Sequence, residues 1–373
     1  MKTKVSIVKC PSYEQMFVDQ AVRQAVDLIG GLNRFIKKGD KVFLKVNLLI
    51  GANPDRAITT HPNFVRTVIR LVKRFGAIPV VGDSTQRGDL ESVAEPCGIL
   101  KLCKEEGVKL LKLNTRIQKD NPKGKLIKKF IVAKEIFDFD CIINLPKPKT
   151  HSLTVYTGAV KNLYGLFPGG LKKKYHVELP TRNKFSNMLL DLYLLIKPQL
   201  TIMDAIIGMD GQGPSSGNPR KIGLVLASSD ALALDTVITS IVGFKKSEVP
   251  VIYLGKKRNL PESDLKNILV VGESINSVKI KKFKKPYFMV DILPRFVVNT
   301  ARGIIWPKPF VIKERCVGCG KCAEVCVKQT ITMIDGKAHI DYSKCIRCYC
   351  CHEYCPHKAI TLKRNVIQKV IKK

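Results

Sequence analysis

The sequence predicts an α/β protein with a mainly parallel sheet in a large N-terminal unit, followed by a small second domain. Strand-like and helix-like segments alternate between Val5 and Val271, which is the pattern of parallel strands joined by crossover helices. The chain has 373 residues, too many for one small domain and enough for a large unit with an appendage. Nine of the thirteen cysteines lie between Cys316 and Cys355, which sets this last part of the chain apart.

Apolar residues at helical or strand spacing define the elements of the N-terminal unit. The helix predicted over Glu14–Ile29 has Val18, Val22 and Ala25 on one face and stops before two glycines. The predicted strands are Val5–Val8, Lys41–Val46, Ile78–Val81, Lys109–Leu113, Cys141–Leu145, Leu200–Met203, Ile222–Leu226 and Ile268–Val271. The other predicted helices are Pro62–Phe75, Asn187–Ile196 and Ala231–Val242. These patterns predict an α/β domain at 1–282, a proline-containing connector at 283–309, a cysteine-rich domain at 310–365 and a basic tail at 366–373.

The cysteine-rich domain contains the spacing C-x2-C-x2-C-x3-C twice, at one constant offset along the chain. This run is typical of bacterial ferredoxins, and it predicts a small α+β domain of the type that binds two [4Fe–4S] clusters. In such domains the fourth cysteine of each run binds the other cluster. The first cluster is therefore assigned Cys316, Cys319, Cys322 and Cys355, and the second Cys345, Cys348, Cys351 and Cys326.

A zinc site is the alternative interpretation of clustered cysteines. Zinc sites use four ligands, commonly as two C-x2-C pairs, and they do not explain the third cysteine of each triplet. We therefore favour iron–sulfur clusters as the cofactors. Cys350 is interpreted as a bystander beside Cys351, and His352 and His357 as surface residues.

Polar side chains follow the predicted strands where parallel sheets bind ligands. The candidate catalytic residues are His151, Lys161, Lys147 and His61, because histidine can transfer protons near neutral pH and lysine binds carboxylate or phosphate. The candidate substrate-binding residues are Lys45, Asn47, Asp83, Lys149, Asn162 and Asp204. Ser228 and Asp230 follow a further strand. If the strands are parallel and adjacent, these groups face one cleft that suits a small anionic substrate.

Each of these residues also has a structural interpretation. Lys147 and Lys149 flank prolines and could lie in a solvated turn, while His61 and Asp204 could cap helices. Two glycine-rich segments, Gly165–Gly170 and Gly208–Pro214, could hold an anion or form ordinary turns. No Walker-type loop, nucleophile elbow or H-E-x-x-H motif occurs in the sequence.

The formal net charge of +33 raises the question of nucleic-acid binding. The lysines are dispersed along the chain, aromatic residues make up 7%, and no nucleic-acid-binding motif accompanies the charge. The composition therefore favours an ordinary solvated surface over nucleic-acid binding. An acidic redox partner or an anionic substrate fits the charge as well as nucleic acid does. No apolar run has the length of a membrane span, and no signal peptide is evident, so we expect a cytoplasmic protein.

Several segments together resemble the domain-of-unknown-function 362 family. They are Thr59–Pro62, Gly82–Ser84, Leu145–His151, Thr157–Asn162 and Gly208–Pro214, of which Pro146–His151 and Thr157–Asn162 are the most specific. Members of the family are described as uncharacterised iron–sulfur centre proteins, and many carry a C-terminal ferredoxin module. The resemblance implies a cytoplasmic prokaryotic protein but no particular reaction. The layout also loosely resembles the nickel-dependent lactate racemase family, without a motif that assigns residues.

Three functions remain open at this stage. An enzyme would use the clusters to deliver or remove electrons at the candidate pocket. A carrier would use the large unit to dock on an acidic partner protein. A nucleic-acid-linked iron–sulfur protein would gather its lysines on one face and bind in a strongly salt-dependent manner.

Overall fold

The computed structural model describes residues 2–85, 89–286 and 307–363. Most of the predicted connector at 283–309 falls on 287–306, outside the described residues. The predicted basic tail at 366–373 also lies outside them.

The elements follow the predicted alternation through the N-terminal unit. The strands there are β1 (Thr3–Lys9), β2 (Lys41–Lys45), β3 (Ile78–Asp83), β4 (Leu110–Lys112), β5 (Arg116–Asp120), β6 (Lys129–Ala133), β7 (Cys141–Asn144), β8 (Lys149–His151), β9 (Val155–Thr157), β10 (Leu200–Asp210), β11 (Asn218–Ser228) and β12 (Ile268–Gly272). The helices there are α1 (Gln15–Leu28), α2 (Pro62–Arg74), α3 (Leu90–Ala94), α4 (Ile99–Glu105), α5 (Ala159–Asn162), α6 (Leu171–Glu178), α7 (Arg182–Ile196), α8 (Ala231–Ile241) and α9 (Pro250–Lys257).

The central sheet is mainly parallel, as predicted. Its strand order is β12-β1-β11-β10-β7-β2-β3-β4, and β8 and β9 extend it beside β10. The pairs β2–β3, β2–β7, β7–β10, β3–β4 and β1–β12 are parallel. β11 is antiparallel to its neighbours β1 and β10, because β10 and β11 form a long hairpin, and β9 is antiparallel to β8. The carboxyl ends of β2, β3 and β7 therefore meet at one edge of the sheet.

Because of the β10–β11 hairpin, two predictions about residues that follow strands are wrong. The strand predicted to end at Met203 continues to Asp210, so Asp204 lies within β10 and not after it. Since β11 is antiparallel, Ser228 pairs with Thr201 near the start of β10. Ser228 and Asp230 consequently lie at the opposite edge from the ends of β2 and β3.

Helices cover both faces of the sheet, and successive side chains along each strand point to opposite faces. Val42 and Leu44 pack on the side of α1, α2 and α4, whereas Phe43 packs on the side of α5 to α9. Helix α2 shows why these segments are helical, since Pro62 occupies its first turn and the His61 Nδ1 atom accepts a hydrogen bond from Asn63 N at 3.2 Å. One apolar layer on each face thus holds the sheet in place behind the edge at which β2, β3 and β7 end.

The C-terminal module contains β13 (Lys308–Val311), α10 (Lys321–Val325), β14 (Ile331–Ile334), β15 (Lys337–Ile340), α11 (Cys350–Glu353) and β16 (Ile360–Lys363). It has the small α+β form of ferredoxin domains, with β13 paired to β16 and β14 to β15. Arg56 donates to Pro356 O at 2.8 Å, and Ser215 donates to Glu353 O at 2.6 Å. These bonds seat the module against the edge of the large sheet where the candidate pocket lies.

Candidate functional site

Two cavities in the C-terminal module are lined by the cysteines of the two C-x2-C-x2-C-x3-C runs. One, of about 320 Å³, is lined by Cys316, Cys319, Cys322 and Cys355. The other, of about 360 Å³, is lined by Cys326, Cys345, Cys348, Cys351 and also Cys350. Each cavity contains one of the two ligand sets predicted from the spacing, with the fourth cysteine from the opposite run. Four thiols around a compact space are the donor set that a [4Fe–4S] cluster requires, so the residues fit the cofactor.

The two halves of the module also repeat in their hydrogen bonds to sulfur. Thr330 N donates to Cys326 Sγ at 3.3 Å, and Ala359 N donates to Cys355 Sγ at 3.2 Å, at equivalent places in the two halves. In the first half, Ala338 N donates to Cys316 Sγ at 3.4 Å. Such N–H groups stabilise the negative charge of cluster-bound thiolates.

A third cavity lies between the α/β unit and the module, and it is named here the lysine cavity. Its free space between protein atoms is about 570 Å³, including its opening to solvent. It therefore suits a small ligand. Its polar lining comprises Lys45, Asn47, Asp83, Lys149, His151, Thr157, Lys161, Asn162, Tyr164, Lys172, His176, Glu353 and Tyr354.

Seven of the ten candidates from the α/β unit line this cavity: Lys45, Asn47, Asp83, Lys149, His151, Lys161 and Asn162. The carboxyl ends of β2 and β3 place the first three at the sheet edge. The β8–β9 hairpin presents Lys149 and His151, and α5 presents Lys161 and Asn162. The carboxylate of Asp235 holds α5 in place by accepting from Ala159 N at 2.7 Å and Val160 N at 2.9 Å.

The other three candidates lie together in a separate buried cluster. Lys147 Nζ lies 2.7 Å from Asp204 Oδ2 and donates to the Tyr13 hydroxyl at 2.7 Å. The Tyr13 hydroxyl in turn donates to Asp204 Oδ1 at 2.7 Å, and its ring stacks on that of His61. Burial lowers the pKa of His61 to about 4, so its imidazole is neutral at pH 7. None of these residues lines the lysine cavity.

One buried ion pair forms the base of the lysine cavity. Lys45 Nζ lies 3.0 Å from Asp83 Oδ1, and both side chains are almost wholly buried. Gly165 packs directly over the pair, and a side chain at this position would collide with both charged groups. The close approach explains why the chain has glycine at this point of the glycine-rich segment.

Three further lysines line the cavity without an ion-pair partner among the described residues: Lys149, Lys161 and Lys172. Lys149 Nζ donates to Asn47 Oδ1 at 2.6 Å and to Ile58 O at 2.5 Å. Burial, followed by repulsion from Lys161, lowers the pKa of Lys149 well below its usual range. Burial likewise lowers the pKa of Lys172 to about 8 and lowers the pKa of Lys161. An anion in the cavity would relieve this repulsion.

His151 meets a carboxylate that comes from the C-terminal module. Its Nδ1 atom accepts from Leu153 N at 3.0 Å, so the proton of the neutral ring lies on Nε2. Nε2 is 3.2 Å from Glu353 Oε1, without the alignment of a hydrogen bond. Burial lowers the pKa of His151 well below its usual range and raises the pKa of Glu353 to about 7. Glu353 lies between the cluster-site residues Cys351 and Cys355, so one short turn joins all three cavities.

The cavity also contains residues that the sequence prediction omitted: Glu353, Tyr354, Lys172, His176 and Tyr164. The signal that could have identified Glu353 is its position as a charged residue between two cysteines of the second run. Lys172 and His176 follow the Gly165–Gly170 segment on α6. The prediction that His352 lies at the surface is wrong, because α11 faces the α/β unit and buries it to 1% exposure next to Ser152. His357 is exposed, as predicted, and Cys350 lines the second cysteine cavity beside Cys351.

Comparison with known families agrees with both parts of the chain. The family described as "Domain of unknown function (DUF362)" matches residues 42–240, and a 4Fe-4S dicluster domain matches residues 308–356. The first match covers more than half of the chain, and the chain belongs to this family of unknown function. The second supports iron–sulfur cluster binding by the C-terminal module.

A curated relative is a thylakoid-associated protein of Synechocystis sp. It is 37% identical over 252 residues, which cover 67% of this chain and 78% of the relative. Among the described residues, no helix combines the length and the apolar character needed to cross a membrane.

Two solved structures have a partly similar backbone. The lactate racemase apoprotein of Thermoanaerobacterium thermosaccharolyticum matches with a TM-score of 0.39 at 10% identity, over 62% of this chain and 54% of that one. A Thermotoga maritima protein matches with a TM-score of 0.36 at 13% identity, over 60% of this chain and 56% of that one. The chain thus spans only about half of each of these structures.

Proposed function

We propose that this member of the family carries two [4Fe–4S] clusters and exchanges electrons with a small anionic substrate bound in the lysine cavity. The observation that supports this most directly is the turn from Cys350 to Cys355. Its cysteines line both cysteine cavities, and Glu353 and Tyr354 line the lysine cavity. A ligand there would lie next to both cluster sites within one chain, which suits intramolecular electron transfer.

The side chains of the cavity have distinct roles in this proposal. When bound, the clusters supply or accept electrons one at a time. Lys149, Lys161 and Lys172 bind the anionic groups of the substrate. His151 holds a proton on Nε2, because the backbone N–H groups of Leu153 and Thr154 donate to its Nδ1 atom, and it would supply this proton to a reduced substrate in the cavity.

A carrier without a substrate of its own is the second candidate. The net charge of +33 favours it, because a basic protein attracts an acidic redox partner. The seven candidate residues gathered in one partly enclosed cavity favour the enzyme, since docking alone needs no such cavity. We expect a cytoplasmic protein. Because the Synechocystis relative is described as thylakoid-associated, cell fractionation should test whether this chain also attaches to membranes.

The two ligand sets can be tested by a matched pair of cysteine variants. We expect Cys326→Ala to damage the second cluster and spare the first, so that iron and sulfide content of anaerobically purified protein falls by about half. Cys350→Ala, in the same module, should keep the full content because Cys350 is outside both sets. Loss confined to the first cluster in Cys326→Ala, or loss of a cluster in Cys350→Ala, would show that the sets are misassigned.

A further inference from the structure

The lysine cavity has more positive charge than its own carboxylates balance. Lys45 and Asp83 neutralise each other at 3.0 Å. The remaining charged side chains of the lining are Lys149, Lys161, Lys172 and Glu353. Three lysine side chains thus face one carboxyl group, and none of the three forms an ion pair within the part of the chain that the structure describes. Buried charges without partners are costly, and a ligand with two negative charges would balance the three lysines in their protonated form against the Glu353 carboxylate.

An amide oxygen in the same cavity requires a hydrogen-bond donor. Asn162 Nδ2 donates to Asn144 Oδ1 at 2.8 Å and to Lys45 O at 3.2 Å, which fixes the orientation of its amide. Its Oδ1 atom is buried and has no hydrogen-bond partner among the described residues. Buried acceptors normally receive a hydrogen bond, and a hydroxyl group of the ligand would donate one to this oxygen.

We propose that the lysine cavity binds a small dianion that carries a hydroxyl group, with Lys149, Lys161 and Lys172 neutralising its charges and Asn162 Oδ1 accepting from its hydroxyl. The inference rests on the proposed function for the role of the cavity as a substrate site. It does not depend on electron transfer, so binding can be tested on the oxidised protein. Failure of electron transfer with intact binding would overturn only the proposed function.

Both dicarboxylates and phosphate esters have this chemistry, and four probes separate the requirements. Malate, succinate and 2-hydroxybutyrate each have four carbons. Malate has two carboxylates and a hydroxyl group, succinate lacks the hydroxyl group, and 2-hydroxybutyrate lacks the second carboxylate. Glycerol 3-phosphate places the dianion on one phosphate. Isothermal titration calorimetry on the full chain with its clusters, under anaerobic conditions at pH 7, gives the dissociation constant of each probe.

We expect malate or glycerol 3-phosphate to bind about tenfold or more tightly than 2-hydroxybutyrate, since each can form a further charge-assisted hydrogen bond to a lysine. The tighter of the two identifies a carboxylate or a phosphate ligand. Succinate should bind more weakly than malate. Equal binding of succinate and malate would remove the hydroxyl group from the proposal. Equal binding of malate and 2-hydroxybutyrate, or no binding by any probe, would overturn it.

Lysine variants locate the binding site. Lys161→Gln should weaken binding of the preferred dianion about tenfold or more, because Lys161 Nζ makes no hydrogen bond to the described residues whose loss would disturb the fold. Lys149→Gln gives a second test. Lys174→Gln is the matched control, since Lys174 is exposed on α6 and pairs with Glu178 at 3.7 Å. Unchanged affinity in folded Lys161→Gln and Lys149→Gln would overturn the proposed site.

Discussion

The Lys45–Asp83 ion pair can form because the residue packed against it, Gly165, has no side chain. Gly165 lies against both charged groups, whereas Gly170, five residues later, has nothing within 4 Å of the place where a Cβ atom would lie. The two glycines therefore form a natural comparison within one segment. One is required by packing, and the other lies in open space at ordinary helical backbone angles.

Gly165→Ala should force the ion pair apart and lower stability by about 1–3 kcal/mol, as overpacking does. Gly170→Ala should change stability by no more than about 0.5 kcal/mol. The thermal unfolding midpoints of the two variants, measured anaerobically with the clusters in place, check this. Equal midpoints would mean that Gly165 does not constrain the pair.

At the residue scale, strand ends were the informative signal. Lys45, Asn47 and Asp83 were predicted because they end parallel strands, and the parallel order of β2 and β3 brings them to one edge. Asp204 followed a strand whose true end lies further along, since the hairpin partner β11 extends β10. Glu353 was omitted and His352 was wrongly predicted to be at the surface, because their burial depends on docking between two domains that are distant in sequence.

At the scale of elements, the cysteine repeat extends to backbone conformation. Gly318 and Gly320 have positive φ angles of 74° and 70°, as expected for a tight loop. The equivalent residues of the second half, Arg347 and Tyr349, have φ angles of 54° and 64° without being glycine. The loop shape is thus required in both halves, and glycine is obligatory only where space is also lacking.

Gly318→Ala and Gly320→Ala separate these two requirements. Both carry the cost of a left-handed conformation, about 1–2 kcal/mol. A Cβ atom at Gly318 would also lie 2.5 Å from Gly336 O, whereas one at Gly320 meets nothing within 4 Å. We expect Gly318→Ala to release iron to a chelator faster than Gly320→Ala, because the loop that carries Cys316 and Cys319 must shift. Similar release rates in both variants would contradict the packing argument.

At the scale of the whole molecule, local patterns predicted the architecture but not the assembly. The alternation of periodicities predicted the α/β unit, and the cysteine spacing predicted the module, because each pattern is contained within its own segment. The docking of the module depends on contacts such as Arg56 with Pro356 and Ser215 with Glu353, which no local pattern encodes. This docking adds Glu353 and Tyr354 to the lining of the lysine cavity.

The lysine cavity and the proposed cluster sites lie close enough for charge in one to influence the other, as the function proposed above requires. Lys161 is the best residue for testing this, because it lines the cavity together with Glu353, three residues from Cys350 of the second cysteine cavity. Its positive charge should favour the reduced, more negative state of a nearby cluster. Removing that charge should therefore lower the reduction potential.

Protein-film voltammetry at pH 7 on the wild type, Lys161→Gln and Lys174→Gln measures this directly. We predict that Lys161→Gln lowers at least one cluster potential by an amount on the order of tens of millivolts, and that Lys174→Gln leaves both potentials unchanged. Potentials in Lys161→Gln equal to those of the wild type would contradict the claim that the cavity lies within electrostatic reach of the clusters.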